Sequence, residues 1–60
     1  MILSQLKKAM EDSKISVEHL ADKTCMSAST IFKARKGNKI NVNTAKRIAS
    51  GLRMNVEQLI

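Results

Sequence analysis

A chain of 60 residues and 6.7 kDa predicts one small domain over residues 1–60, with an aliphatic core because Phe32 is the single aromatic residue. Eleven Lys and Arg against five Asp and Glu leave a formal net charge of +6, which favours a polyanionic partner. The lone cysteine, Cys25, excludes an internal disulfide and a cysteine-based metal cluster, and no apolar run has membrane-spanning length or forms a signal-peptide core. The expectation is a cytoplasmic protein without a cofactor and without a membrane partner.

Helical periodicity runs through nearly the whole chain, and no segment alternates as a strand would. The first predicted helix covers Ile2 to Asp12, with Leu3, Leu6 and Met10 on one face. Ser13-Lys14-Ile15 links it to a second helix, Val17 to Lys23. Ser16 caps that helix and Glu18 suits its positive end. Val17, Leu20 and Ala21 point inward. Cys25-Met26 breaks the period and Ser27 restarts it as the cap of a third helix, Ala28 to Lys36, which Gly37 ends. Asn38 to Ile40 form a basic loop. Asn41 caps a fourth helix, Val42 to Leu52, whose inner face is Val42, Ala45, Ile48, Ala49 and Leu52. Asn55 caps a last helix, with Gln58 placed to complete a capping box. Five short helices predict an all-α, compact five-helix bundle.

Residues 17 to 36 carry the functional signal. Two short helices hinged at a tight turn, with the small Ala21 at their contact, form the pattern of a helix-turn-helix. Such an element places its second helix in the DNA major groove. Charge distribution agrees. Between Lys23 and Val56 there is no acid, while Lys23, Lys33, Arg35, Lys36, Lys39, Lys46, Arg47 and Arg53 all fall there. A run of charge is more often a solubilising surface, but here it coincides with the motif.

Successive helical residues turn by about 100°. With Ile31 and Ala34 marking the buried side of the third helix, Ala28, Ser29, Phe32, Lys33 and Lys36 fall on the opposite face. Lys33 suits guanine O6 and N7, Ser29 several bases, and Ala28 or Phe32 a thymine methyl. The competing reading packs Phe32 against the second helix or a partner protein, but Ile31 and Ala34 already fill the inward side.

Leu20-Ala21, Met26-Ser27, Ser29-Thr30-Ile31, Gly37, Ile48-Ala49, Leu52 and the closing Val56-Glu57-Gln58-Leu59-Ile60 together resemble the helix-turn-helix domain of lambdoid phage repressor and Cro proteins, the Cro/C1 or XRE family. The resemblance spans nearly the whole chain. It implies a lambda-repressor-like fold and a sequence-specific transcription regulator. Base contacts fall to Ala28, Ser29, Phe32 and Lys33, and phosphate contacts to Ser16, Val17, Lys36, Asn38, Lys39, Asn41 and Asn43. It also implies a two-fold dimer on a pseudo-palindromic double-stranded operator. The apolar residues least needed by the core, Met54, Val56, Leu59 and Ile60, are the expected contact of a weak homodimer formed mainly on DNA. A complete small Cro-like protein and the DNA-binding domain of a longer repressor both fit.

Three positions depart from the family pattern. Val17 stands where glutamine is frequent, leaving only a backbone N–H for phosphate. Cys25 stands at a turn position where glycine, tolerant of positive φ, is usual. Arg35 and Met10 replace an acid and a base that pair, which frees Arg35 for Glu11 or for phosphate.

His19 has no ligand partners at metal spacing and reads as a surface residue. Met10, Met26 and Met54 read as packing, and no nucleophile–base pair or phosphate-binding glycine loop points to an enzyme. Two further classes stand beside the DNA-binding regulator. One is an antitoxin-type protein-interaction module that also binds DNA. The other is a cationic membrane-surface peptide, opposed by the repeated caps and by Gly37 and Gly51.

Overall fold

Each helix start is set by whether a short polar side chain stands ready to close the first turn. The computed structural model describes residues 1–60: α1 is Leu6–Ser13, α2 Val17–Thr24, α3 Ala28–Arg35 and α4 Val42–Gly51, followed by a 3₁₀ turn at Val56–Gln58. Ser16 Oγ accepts from the His19 N–H at 3.1 Å, Ser27 Oγ from Thr30 at 3.3 Å, and Asn41 Oδ1 from Thr44 at 2.7 Å. These three caps lie where the sequence puts them, and α2, α3 and α4 begin there. α1 has no side-chain cap and starts at Leu6 rather than at Ile2. The residues before it are held by tertiary bonds instead. The Met1 ammonium donates to the Ile40 carbonyl at 2.7 Å, Ile40 N–H returns a bond to Met1 at 2.8 Å, and Gln5 N–H donates to Leu59 at 2.7 Å.

All four helices end alike. The amide one place past the last helical turn bonds back three residues, and the next amide bonds back five, as in a Schellman motif. The pairs are Lys14→Glu11 with Ile15→Met10, Cys25→Asp22 with Met26→Ala21, Gly37→Ala34 with Asn38→Lys33, and Arg53→Ser50 with Met54→Ala49. The first residue of each pair must adopt a left-handed backbone. Lys14, Cys25 and Arg53 do so at φ of 55°, 58° and 57°, although only Gly37, at 95°, escapes the steric penalty. That penalty is about 1–2 kcal/mol for each L-residue. Ile15, Met26 and Met54, each the second residue of its pair, fold back onto the core and help to hold the turn shut.

The core is aliphatic, as the composition requires. Leu3, Leu6, Met10, Leu20, Ile31, Ile48 and Leu59 are its largest fully buried side chains, with Ala9, Ala21, Ala34, Ala45 and Ala49 between them. α2 packs against both α3 and α4, α1 touches α3, and the 3₁₀ turn closes on α4. The alanines let these short helices approach closely.

Three expectations change. The fifth predicted helix is a three-residue 3₁₀ turn, so the five-helix count becomes four α-helices and a turn. Gln58 Oε1 does accept from the Asn55 N–H at 2.8 Å, but the turn closes through three-residue bonds, Gln58 N–H to Asn55 and Leu59 N–H to Val56. Leu3 reaches the core from outside any helix, in a segment held by the Met1–Ile40 and Gln5–Leu59 backbone bonds. Val42, placed on the inner face by periodicity, is half exposed because the first turn of α4 overhangs the edge of the core.

Candidate nucleic-acid interface

The turn between α2 and α3 is built by Cys25 and Ser27. Cys25 takes the left-handed conformation that closes α2, and Ser27 returns to extended backbone, with ψ of 147°, to open α3. Its hydroxyl also pairs with that of Thr30 at 2.9 Å. Thr24, the one buried polar residue, donates its hydroxyl to the Leu20 carbonyl at 2.8 Å, so nothing polar is stranded beneath the turn. Arg47 of α4 donates to the Thr24 carbonyl at 2.9 Å and ties the last turn of α2 to α4.

α3 is thereby held as a rigid rod with one face outward. Ile31 and Ala34 have no exposed surface, while Ala28, Ser29, Phe32, Lys33 and Lys36 are all exposed. The angular reading of this helix matches the side that is buried. Phe32 is 51% exposed, and its ring lies 5.3 Å from the Lys36 ammonium. A cation so placed orients the ring on the surface rather than against α2.

The residues expected to hold phosphates are exposed or half-buried. Ser16 is exposed and Val17 half-buried at the start of α2. The Ser16 cap occupies the His19 amide, whereas Val17 N–H, in the first turn, has no partner inside the helix and remains a donor. Lys36, Asn38, Lys39, Asn41 and Asn43 are exposed. The Asn41 oxygen is committed to the α4 cap, which leaves its amide nitrogen as the donating end. Gly37 and the Met1–Ile40 bonds fix where this loop turns.

Two details were not legible in the sequence. Lys7, from the first turn of α1, lines a shallow recess with Phe32, Arg35 and Lys36. Only the packing of α1 on α3 brings it there. Arg35 is half-buried in that basic group, and Met10, where the family often carries a base, is in the core.

The expected dimer contact needs a correction. Leu59 is fully buried and belongs to the core, so it offers nothing to a symmetry mate. The 3₁₀ turn and the Gln5–Leu59 backbone bond aim it inward. Met54 and Val56 are half-buried against the core, and Ile60 is 53% exposed.

Two capped helices joined at a tight turn, the second one presenting a polar and cationic face, define a helix-turn-helix unit. The family model of the Cro/C1-type HTH DNA-binding domain matches residues 5–60. The chain belongs to this family, and it is a DNA-binding protein of the regulator class. No curated protein and no solved structure matches the chain significantly. No helix is long and apolar enough to cross a membrane.

Proposed function

We propose that the chain is a sequence-specific, double-stranded DNA-binding transcription regulator of the phage Cro or repressor kind, working in the cytoplasm. The observation that carries this reading is α3: its apolar side is fully buried, and Ser29, Phe32, Lys33 and Lys36 share its open side. A helix held in this way enters the major groove with its side chains at the base edges. Ala28, Ser29, Phe32 and Lys33 read bases. Ser16, Val17, Lys36, Asn38, Lys39, Asn41 and Asn43 hold the flanking phosphates and set the register.

One domain of this size covers about half an operator, so two copies bind on a pseudo-palindromic site with half-sites about one helical turn apart. Their contact is small and rests on Ile60 with the open edges of Met54 and Val56, which makes pairing weak in the free protein and favoured on DNA. The test is selection of bound sequences from random duplexes, followed by footprinting. The expected result is an enriched two-fold motif. Failure to enrich any sequence over random duplex would overturn the specific-reader proposal.

A further inference from the structure

Cationic side chains gather at a second place, where the C-terminal ends of α2 and α4 meet. A recess of about 330 Å³ there is lined by Lys23, Thr24, Arg47, Ser50, Gly51 and Arg53, with no apolar side chain among them. It adjoins a second recess through Lys23, Gly51 and Arg53, and that one adds Ser13, Lys14, Ile15, His19 and Leu52. The acids of α2, Glu18 and Asp22, line neither. None of these residues belongs to α3 or to the loop after it, so the strip is a separate set from the face built around Phe32 and Lys36.

Cations near helix C-termini have an ordinary role in balancing the exposed carbonyls. Arg47 fills it, through its bond to the Thr24 carbonyl. Lys14, Lys23 and Arg53 make no side-chain hydrogen bond, and their charged ends are free in solvent. Lys14 and Arg53 also stand at left-handed positions where glycine would be unstrained, at φ of 55° and 57°. The fold alone would be served better by glycine at both.

We propose that this strip is a second binding surface for the phosphate backbone of double-stranded DNA, so that one protein molecule holds two duplex segments at once. The proposal rests on the DNA-binding reading of the chain and extends it to residues outside α3 and the loop after it. The shape selects this occupant. Two joined recesses spread Lys14, Lys23, Arg47 and Arg53 over more surface than one anion occupies. The larger recess has no aromatic wall to grip a nucleobase, and the His19 imidazole is the one ring in the smaller. An acidic protein segment would need an apolar anchor; the larger recess has none, and the smaller offers only the half-buried Ile15 and Leu52.

A bridging assay tests this. One duplex carrying the selected motif is fixed to beads, the protein is added, and recruitment of a fluorescent duplex of unrelated sequence is measured. Two variants are compared with the unaltered chain: Lys23→Glu, and Lys14→Gly with Arg53→Gly. The glycine pair removes charge while relieving backbone strain, so it keeps the fold. Recruitment is expected to fall about tenfold in both, while affinity for the bead duplex changes by less than about threefold. Lys33→Ala is expected to weaken the bead duplex instead, which separates failure of the α3 reading from failure of this one. Unchanged recruitment in both variants, as bridging by paired protomers would give, overturns the proposal. So does saturation of the Lys23 and Arg53 amide shifts by inorganic phosphate without any recruitment. Displacement of the second duplex by poly-glutamate as readily as by competitor DNA overturns it in favour of an acidic protein.

Discussion

Gly51 sits so close to Thr24 that a Cβ on the glycine would lie 2.7 Å from the Thr24 methyl and 3.0 Å from a methyl of Leu20. Its helical backbone needs no special φ; space alone calls for glycine here. The Thr24 methyl cannot turn aside, because its hydroxyl is bonded to the Leu20 carbonyl at 2.8 Å and a β-branched side chain has few rotamers. This contact sets how α4 lies on α2, and hence how rigidly α2 supports α3.

Gly51→Ala should therefore destabilise the protein although alanine is the better helix former. The propensity gain is about 1 kcal/mol and overpacking costs about 1–3 kcal/mol, so a net loss near 1 kcal/mol is expected. In a domain of this size that lowers Tm by roughly 4–8 °C. Adding Thr24→Ser, which deletes the opposing methyl, should recover most of the loss. A Gly51→Ala variant more stable than the parent would contradict the close contact.

Cys25→Gly should move stability the other way. Cys25 holds φ of 58° to close α2, and glycine adopts that conformation without the Cβ clash. The relief of about 1–2 kcal/mol is partly offset by the greater freedom of glycine in the unfolded chain, leaving a gain of about 0.5–1 kcal/mol. Denaturant unfolding with an unchanged m-value is the measurement, and a loss of stability would show that the thiol makes a contact of its own.

Leu59 and Ile60 are neighbours with opposite duties. Leu59→Ala should cost about 2–5 kcal/mol, enough to unfold a domain of this size. Ile60→Ala, at a half-exposed position, should leave the melting curve nearly unchanged and reduce cooperativity on the two-fold site. Equal effects of the two on melting would mean that the chain end is not anchored as described.

Lys33 should specify and Lys39 should position. Lys33→Ala is expected to cost about 1–3 kcal/mol on the selected site and to relax preference at one base pair. Lys39→Ala should weaken selected and random duplexes alike and make the log–log salt slope shallower by about 1. For the paired protein that slope should be roughly −5 to −9, from about 6–10 neutralised phosphates. The reverse pattern in the two variants would place α3 in the wrong orientation.

Local chemistry made much of this protein legible before any coordinates. Ser16, Ser27 and Asn41 each bond an amide three residues on, so the starts of α2, α3 and α4 could be read directly. The buried side of α3 followed from the spacing of Ile31 and Ala34, because a helix repeats every 3.6 residues whatever surrounds it. The resemblance named the turn at Cys25 as a positive-φ position. What the chain's ends do was not legible. Leu3 and Leu59 look like a helical residue and a spare apolar one, yet both are fully buried by bonds that join Met1 to Ile40 and Gln5 to Leu59. Partners so far apart along the chain leave no trace in periodicity. The same holds for Lys7 beside Phe32, and for Lys14, Lys23 and Arg53 around one recess. Capping and amphipathic spacing act over three or four residues and so are written locally; which charged side chains share a surface depends on how the helices cross, and tertiary packing alone decides that.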